Sequence, residues 1–428
     1  MSQDYKFETL CLHAGQEPDP TTTARGVAVH RTSSYVFKST EHAANLFGLK
    51  ELGNIYTRIM NPTQDVLEQR VAALEGGAAA LALSSGTSAI HYSIINICSA
   101  GDEIVSANNL YGGTYTMFDC ILPQFGIQTR FADARDPGSF ESAITEKTRA
   151  VFIETIGNPL LDFTDISAIS EIARKHHLPL IVDATFTTPF LLQSIDYGAD
   201  IVVNSLTKWM GGHGTGIGGI VVDSGKFDWT DPKFKLYNEP DPSYHGLRYA
   251  HDLGDLNPVA FIMRMRLVPL RNLGACISPD NAWMFLQGLE TLPLRIQRHC
   301  ENAMRVAHFL KTHAKVTWVR YPGLEDDPAY PAASRYLRNG YGAMVVFGIK
   351  GGLEAGRKFV DSLQLFSHLA NVGDAKSLVI HPSSTTHSQL SEEQQRAGGL
   401  TPDLVRLSVG LEHIDDIIGD LEQAFSKV

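Results

Sequence analysis

Val202-Val203-Asn204-Ser205-Leu206-Thr207-Lys208-Trp209-Met210-Gly211-Gly212-His213-Gly214 runs an apolar strand into hydroxyl residues, one lysine and then glycines. A second apolar run, Leu180-Ile181-Val182-Asp183-Ala184, precedes it and ends on an aspartate. Apolar strands of this kind belong to a mainly parallel sheet covered on both faces, and ligands of such sheets gather at the strands' carboxyl ends. A lysine held there in a dry pocket loses part of its ammonium's solvation. Its pKa falls from about 10.4 toward neutrality, and the free amine can form an imine with an aldehyde. That pairing suits pyridoxal 5′-phosphate, whose pyridine nitrogen needs a carboxylate partner to stay protonated, a role open to Asp183 at a strand's carboxyl end.

The same residues admit other readings. Gly214-Thr215-Gly216-Ile217-Gly218-Gly219 satisfies the dinucleotide pattern G-x-G-x-x-G, which requires a helix after it; Gly219 to Asp223 reads instead as another strand. Ser205-Leu206-Thr207-Lys208 satisfies the S-x-x-K of serine acyl-enzymes, but the chain has no S-D-N or K-T-G partner element. A solvated surface lysine is the ordinary fate of a lysine after a strand, and only the neighbours of Lys208 argue against it.

Seven short strands are expected: Ala78 to Ser84, Glu103 to Val105, Ile127 to Phe131, Ala150 to Glu154, Leu180 to Asp183, Ile201 to Asn204 and Gly219 to Val222. Helices are expected before them, over Pro62 to Leu74, and between them, over Thr87 to Cys98, Gly113 to Pro123 and Asp165 to His176. The alternation implies an α/β fold with a mainly parallel seven-stranded sheet. Residues 1-60 read as an extended arm with a short helix near Ser39 to Leu49, and residues 61-285 as a large domain. Residues 286-428, with a long amphipathic helix through Arg298 to His313, a strand at Ala343 to Phe347 and a closing helix from Asp415 to Phe425, read as a smaller α/β carboxyl-terminal domain. Lys226 to Gly246 is polar and proline-rich and reads as an inserted loop.

The 428 residues, 43% of them hydrophobic, suffice for a large core, as in an enzyme. A net charge of -11 with no basic block argues against nucleic acid or an anionic membrane as partner. No leader pattern opens the chain and no run approaches the roughly 18 apolar residues of a membrane span, so a cytoplasmic protein is expected. Five scattered cysteines without C-x-x-C, and 16 histidines without H-E-x-x-H, indicate neither a disulfide framework nor a metal site. Cys98 is expected in the core, on the helix from Thr87.

Further constellations add to the lysine and aspartate. Ser84-Ser85-Gly86-Thr87-Ser88-Ala89 places small residues between a strand and a helix, where free N–H groups can hold a phosphate, although an ordinary capped helix would read alike. The hydroxyls of Ser205 and Thr207 can donate to the same anion. Tyr111, before Gly112-Gly113, suits stacking on a planar cofactor or packing in the core. Tyr56 and Arg58 pair a hydroxyl with a guanidinium suited to phosphate, and from the arm they can reach another subunit. Arg406 interrupts an apolar strand, where a guanidinium needs an anionic partner: either a substrate α-carboxylate or an internal Asp or Glu.

Together, Tyr56-Thr57-Arg58, Ser85-Gly86-Thr87-Ser88-Ala89, Glu154-Thr155-Ile156-Gly157-Asn158-Pro159, Val182 to Phe186, Ser205 to Lys208 with its glycines, and Arg406-Leu407-Ser408-Val409-Gly410 resemble the Cys/Met-metabolism family of fold-type I pyridoxal-phosphate enzymes over nearly the whole chain. Within it, the Ser243-Tyr244-His245-Gly246 region, Leu273 to Pro279, Gly288 to Arg295 and Asn371 to Ser377 are most similar to O-acetylhomoserine sulfhydrylases. Methionine γ-lyases usually carry a cysteine where Gly113 stands. The resemblance implies that Lys208 holds the cofactor and moves protons, Asp183 pairs with the ring nitrogen and Tyr111 stacks on the ring. It implies phosphate binding by Gly86, Thr87, Ser205 and Thr207, with Tyr56 and Arg58 arriving from a neighbouring subunit. Asn158, Asn371 and Arg406 would orient the substrate, in a homotetramer of two active dimers.

The activity so implied is γ-replacement, with O-acetyl-L-homoserine and sulfide giving L-homocysteine and acetate in methionine biosynthesis. A methionine or cystathionine γ-lyase, a cystathionine γ-synthase type or a succinyl-homoserine user would share the machinery. Outside the class stand a nicotinamide-dependent oxidoreductase built on Gly214 to Gly219 and a non-catalytic scaffold.

Overall fold

The computed structural model describes residues 5–385 and 400–428. Met1 to Asp4, which enter the reading of the amino terminus, lie outside them. Seven strands form one sheet: β1 Ala79–Leu83, β2 Glu103–Ala107, β3 Gln128–Ala132, β4 Thr148–Glu154, β5 Leu180–Asp183, β6 Ile201–Ser205 and β7 Gly219–Asp223, in the spatial order β1-β7-β6-β5-β4-β2-β3. Every neighbouring pair is parallel except those of β7, which runs antiparallel to both β1 and β6. No helix intervenes between Ser205 and Gly219, so the chain cannot make the crossover that a parallel neighbour demands and returns antiparallel. The lysine-glycine segment therefore lies in the connection from β6 to β7. The apolar runs of β4 to β6 are buried on both faces, as their lack of polar alternation requires.

Helices flank the sheet with small adjustments to their expected bounds. The helix α3, Pro62–Glu75, starts with Asn61 capping the Thr63 N–H and ends at Gly76 in a left-handed conformation. The helix α4, Gly86–Ile95, begins one residue early and stops three residues short of Cys98, which is buried but not helical. Over Gly113 to Pro123 only Gly112–Thr116 is a regular α-helix, followed by a wider turn at Met117–Ile121 and a tight one at Leu122–Phe125. Pro123 lacks the N–H that would continue the ladder.

Two features depart from the sequence reading. The arm carries, besides the expected helix α2 at Thr40–Phe47, a first helix α1 at Phe7–His13. Cys11 of α1 is fully buried, and the buried Arg70 of α3 donates to the Ala14 carbonyl, so the arm's beginning is fastened to its own chain. Lys226 to Gly246 is not merely an inserted polar loop. Trp229, Phe234 and Tyr237 are buried, with Trp229 stacked on Tyr237 at 4.4 Å between ring centroids and on Phe261 at 5.4 Å. Three aromatics at irregular spacing show no period, so the prolines and aspartates between them dominate the sequence pattern while the rings hold the segment to the core.

A second sheet of five strands, β8 Val316–Arg320, β9 Met344–Ile349, β10 Ser367–His368, β11 Leu378–Ile380 and β12 Leu404–Ser408, is ordered β10-β11-β12-β9-β8. Its long helix, Leu292–Thr312, starts earlier than Arg298 and follows Pro279–Glu290 after a break at Thr291. The closing helix spans Ile414–Ser426. Arg406 stands in the middle of β12, opposite Ile380 on one side and Val346 on the other.

Candidate active site

The carboxyl ends of β1, β2, β4, β5 and β6 bring together most of the residues singled out above. Lys208 follows β6, is half-buried, and donates from Nζ to Asn371 Oδ1 at 2.5 Å. Burial, with help from the nearby Arg406 charge, lowers its pKa to about 8. An amine so placed is neutral often enough near neutral pH to act as a nucleophile and as a base.

Arg406 retains 8% of its surface and donates from Nη1 to Asn158 Oδ1 at 3.2 Å. Among the described residues no carboxylate pairs with it, so none of their Asp or Glu side chains is its partner. Burial alone lowers its pKa from 12.5 to about 10. A buried guanidinium held by one neutral amide is an anion site waiting for a charge.

Asp183 ends β5 and accepts at Oδ1 from the Thr185 N–H at 2.9 Å. Burial raises its pKa, and it has no ion pair among the described residues. Its partner across the parallel ladder is Glu154, at the end of β4. Tyr111 donates its backbone N–H to Glu154 Oε1 at 2.8 Å and leaves its ring more than half exposed. A Cβ at position 113 would lie 2.6 Å from Tyr111 Cε1, so a glycine there lets the ring keep its place.

The small-residue turn folds as a tight cradle. Ser85 caps α4 by accepting the Ser88 N–H at 3.0 Å, which leaves the N–H groups of Gly86 and Thr87 pointing out of the first turn. A Cβ on Gly86 would lie 2.6 Å from Ser205 Cβ, and one on Gly219 only 2.1 Å from the Ser85 carbonyl oxygen. Ser205, half-buried, therefore faces the start of α4. Thr207 lies next to it, with its hydroxyl tied to both the N–H and the carbonyl of Gly218 at 3.0 and 3.2 Å.

Tyr56 and Arg58 are not brought to this cluster by a hydrogen bond within the chain. Arg58 sits 5.4 Å from the Tyr56 ring centroid and donates to the Arg271 carbonyl. The glycine pattern from Gly214 runs straight into β7, not into a helix, which removes the context that a dinucleotide site needs. Glu154 was quoted in the sequence motifs without a role; its pairing with Asp183 arises from the adjacency of β4 and β5, and no sequence spacing signals it.

The cradle, the lowered lysine pKa and the uncompensated Asp183 fit pyridoxal 5′-phosphate group by group: an anion at a helix start, an amine for the aldehyde, and a carboxylate for the ring nitrogen. Residues 8–426 match the family model described as Cys/Met metabolism PLP-dependent enzyme. The O-acetyl-L-homoserine sulfhydrylase of Leptospira meyeri is 56% identical over 434 aligned positions, spanning 100% of this chain and 98% of that protein. The homocysteine synthase of Schizosaccharomyces pombe is 52% identical, over 98% of this chain and 97% of its own. A solved structure of a putative O-acetylhomoserine (thiol)-lyase from Campylobacter jejuni, which carries a pyridoxyl-lysine 5′-monophosphate, superposes with a TM-score of 0.95 at 42% identity, over 99% of this chain and 100% of that one.

Proposed function

The chain belongs to the Cys/Met metabolism PLP-dependent enzymes, and on that premise we propose that it converts O-acetyl-L-homoserine and sulfide into L-homocysteine and acetate. The observation that carries this reading is the meeting of a lysine of pKa about 8 with a buried arginine that lacks any carboxylate among the described residues. Such a pair suits an amino acid whose α-carboxylate completes the arginine's pairing while its α-carbon lies beside the lysine.

Bound there, pyridoxal 5′-phosphate supplies an electron sink for the substrate's α-carbon. Lys208 would hold the cofactor through Nζ. Its amine is placed to take the α-proton and a β-proton as acetate leaves the γ-carbon, and to return one proton to each of these two carbons once sulfide has added at the γ-carbon. Asp183 would pair with the ring nitrogen and Tyr111 would lie against the ring. The N–H groups of Gly86 and Thr87 and the Ser205 hydroxyl would hold the phosphate, with the Thr207 hydroxyl joining them by turning its proton away from the Gly218 carbonyl. Arg406 grips the substrate carboxylate, with Asn158 orienting the guanidinium and Asn371 handing over from the Lys208 amine to the substrate.

Tyr56 and Arg58 reach the phosphate of a neighbouring subunit, in a cytoplasmic homotetramer of two active dimers. Support comes from the absence, among the described residues, of a hydrogen bond from either side chain to the cradle, and from the exposed apolar side chains Val36, Leu52, Ile217 and Leu273, of which Val36 stands 97% exposed. The arm spans 1-60, the cofactor-binding domain 61-285 and the small domain 286-428. Among the described residues no helix is long and apolar enough to cross a membrane.

A steady-state assay with acetylhomoserine, succinylhomoserine and acetylserine, each with and without sulfide, tests the reading. Sulfide-dependent homocysteine from the acetyl ester is the expected product. Equal release of a keto acid without sulfide would instead make the protein a γ-lyase.

A further inference from the structure

Glu154 is a buried acid next to the cofactor site that the reaction above does not use. It ends β4 with 7% of its surface exposed, and no Lys, Arg or His pairs with it among the described residues. Its Oε1 accepts the Tyr111 N–H at 2.8 Å, across 43 residues of sequence. Its backbone is fixed in turn, since the Glu154 carbonyl accepts the Thr164 hydroxyl at 2.8 Å. In the parallel ladder its register partner is Asp183, and side chains at paired positions of adjacent strands project to the same face.

Two carboxyls on one face of neighbouring strands, with no cation beside either, cannot both ionise without severe repulsion. Asp183 has two donors from Thr185, its N–H and its hydroxyl, which favour its charged form, whereas Glu154 has only the Tyr111 N–H. Burial, and next the Asp183 charge, push the Glu154 carboxyl well above the usual range. Among the described residues, Asp183 is the charged side chain that acts on it.

We propose that Glu154 is a positioning residue of the cofactor site: uncharged, it fixes the backbone of Tyr111 and so the ring above the cofactor, and it leaves Asp183 as the one carboxylate facing the ring nitrogen. The inference rests on the cofactor reading of the site.

Glu154→Gln and Glu154→Ala in the full chain test it, by titrating pyridoxal 5′-phosphate into the resolved protein and by following the pH midpoint of the bound cofactor's visible absorbance. Glutamine keeps a neutral acceptor for the Tyr111 N–H, so the affinity stays within about threefold of wild type and the midpoint does not move. Alanine leaves that N–H unpaired and weakens binding about tenfold or more, as expected for a lost buried hydrogen bond. A midpoint in Glu154→Gln displaced by more than about half a unit means that a negative charge was removed, and overturns the proposal. Alanine binding as well as wild type overturns it equally. If Glu154→Ala does not fold, the two glutamine readouts decide alone. A wild-type protein that takes up no cofactor defeats the underlying site reading instead, and is distinguished by that.

Discussion

At the scale of single residues, the account turns on two cations that burial has weakened. Arg406→Ala removes the group proposed to grip the substrate carboxylate. The expected outcome in steady-state kinetics is a KM for O-acetylhomoserine raised about 100-fold with a far smaller change in kcat. A kcat loss at unchanged KM would contradict the assignment. Lys208 is protonated below its pKa of about 8 and neutral above it. The rate at which the resolved protein takes up the aldehyde of pyridoxal 5′-phosphate therefore rises between about pH 7 and about pH 9 and then levels. A rate flat across that window would show that the amine's ionisation is not limiting. Lys208 and Asp183 are legible in the sequence because each follows an apolar run whose shortness and β-branched content mark a buried strand, and a titratable group at such an end has few structural uses. The roles of Asn158 and Arg406 are harder to read: their contact spans 248 residues. What the sequence can say of Arg406 is that an arginine inside a strand needs an anion, and the structure then removes the internal candidates among the described residues.

At the scale of elements, the closest approach of a glycine to another segment's backbone lies where the cradle rests on β7. Gly219→Ala would put a Cβ 2.1 Å from the Ser85 carbonyl oxygen and 2.7 Å from the Gly86 nitrogen, both backbone atoms that must then move. Displacing the first turn of α4 is expected to weaken cofactor binding about tenfold or more, measured by titration of the resolved protein; unchanged affinity would show that the turn is not the phosphate's seat. The end of α3 offers a second test. Glu75 is fully buried, accepts the Asn204 amide at 2.7 Å, and has its pKa raised by burial from 4.5 to about 8. A group raised in the folded state contributes stability that is full below its unfolded pKa and lost as pH rises through the folded one. Glu75→Gln should therefore match wild type near pH 5 and exceed it above pH 8 by on the order of a few kcal/mol in denaturant unfolding. Parallel pH profiles for the two proteins would contradict this. Strands and helices of this layer are legible because buried strands lack polar residues and helices carry their own caps, as Asn61 and Ser85 do. The neighbour relation of β4 and β5, which pairs Glu154 with Asp183, is a property of sheet order and has no local sequence mark.

At the scale of the whole molecule, two sheets meet through the site: Lys208 and Asn158 come from the large sheet's loops, Asn371 and Arg406 from the smaller unit. The α/β class, the seven strands and the smaller second unit follow from the alternation of apolar runs and helical spacing. The burial of α1 and of the Trp229 to Tyr237 segment does not, because neither carries a period long enough to read. If each site borrows Tyr56 and Arg58 from a neighbour, Arg58→Ala and Lys208→Ala proteins, each nearly inactive, should regain about a quarter of wild-type activity when subunits are mixed at random, since one of the two sites in a mixed dimer is intact. No recovery on mixing would place both functions in one subunit. The most direct test of the central claim is to reduce the purified protein with borohydride, digest it and map the pyridoxyl mass by peptide sequencing. The label is predicted on the peptide containing Lys208 and on no other; a label on a different side chain, or none at all, would contradict the account.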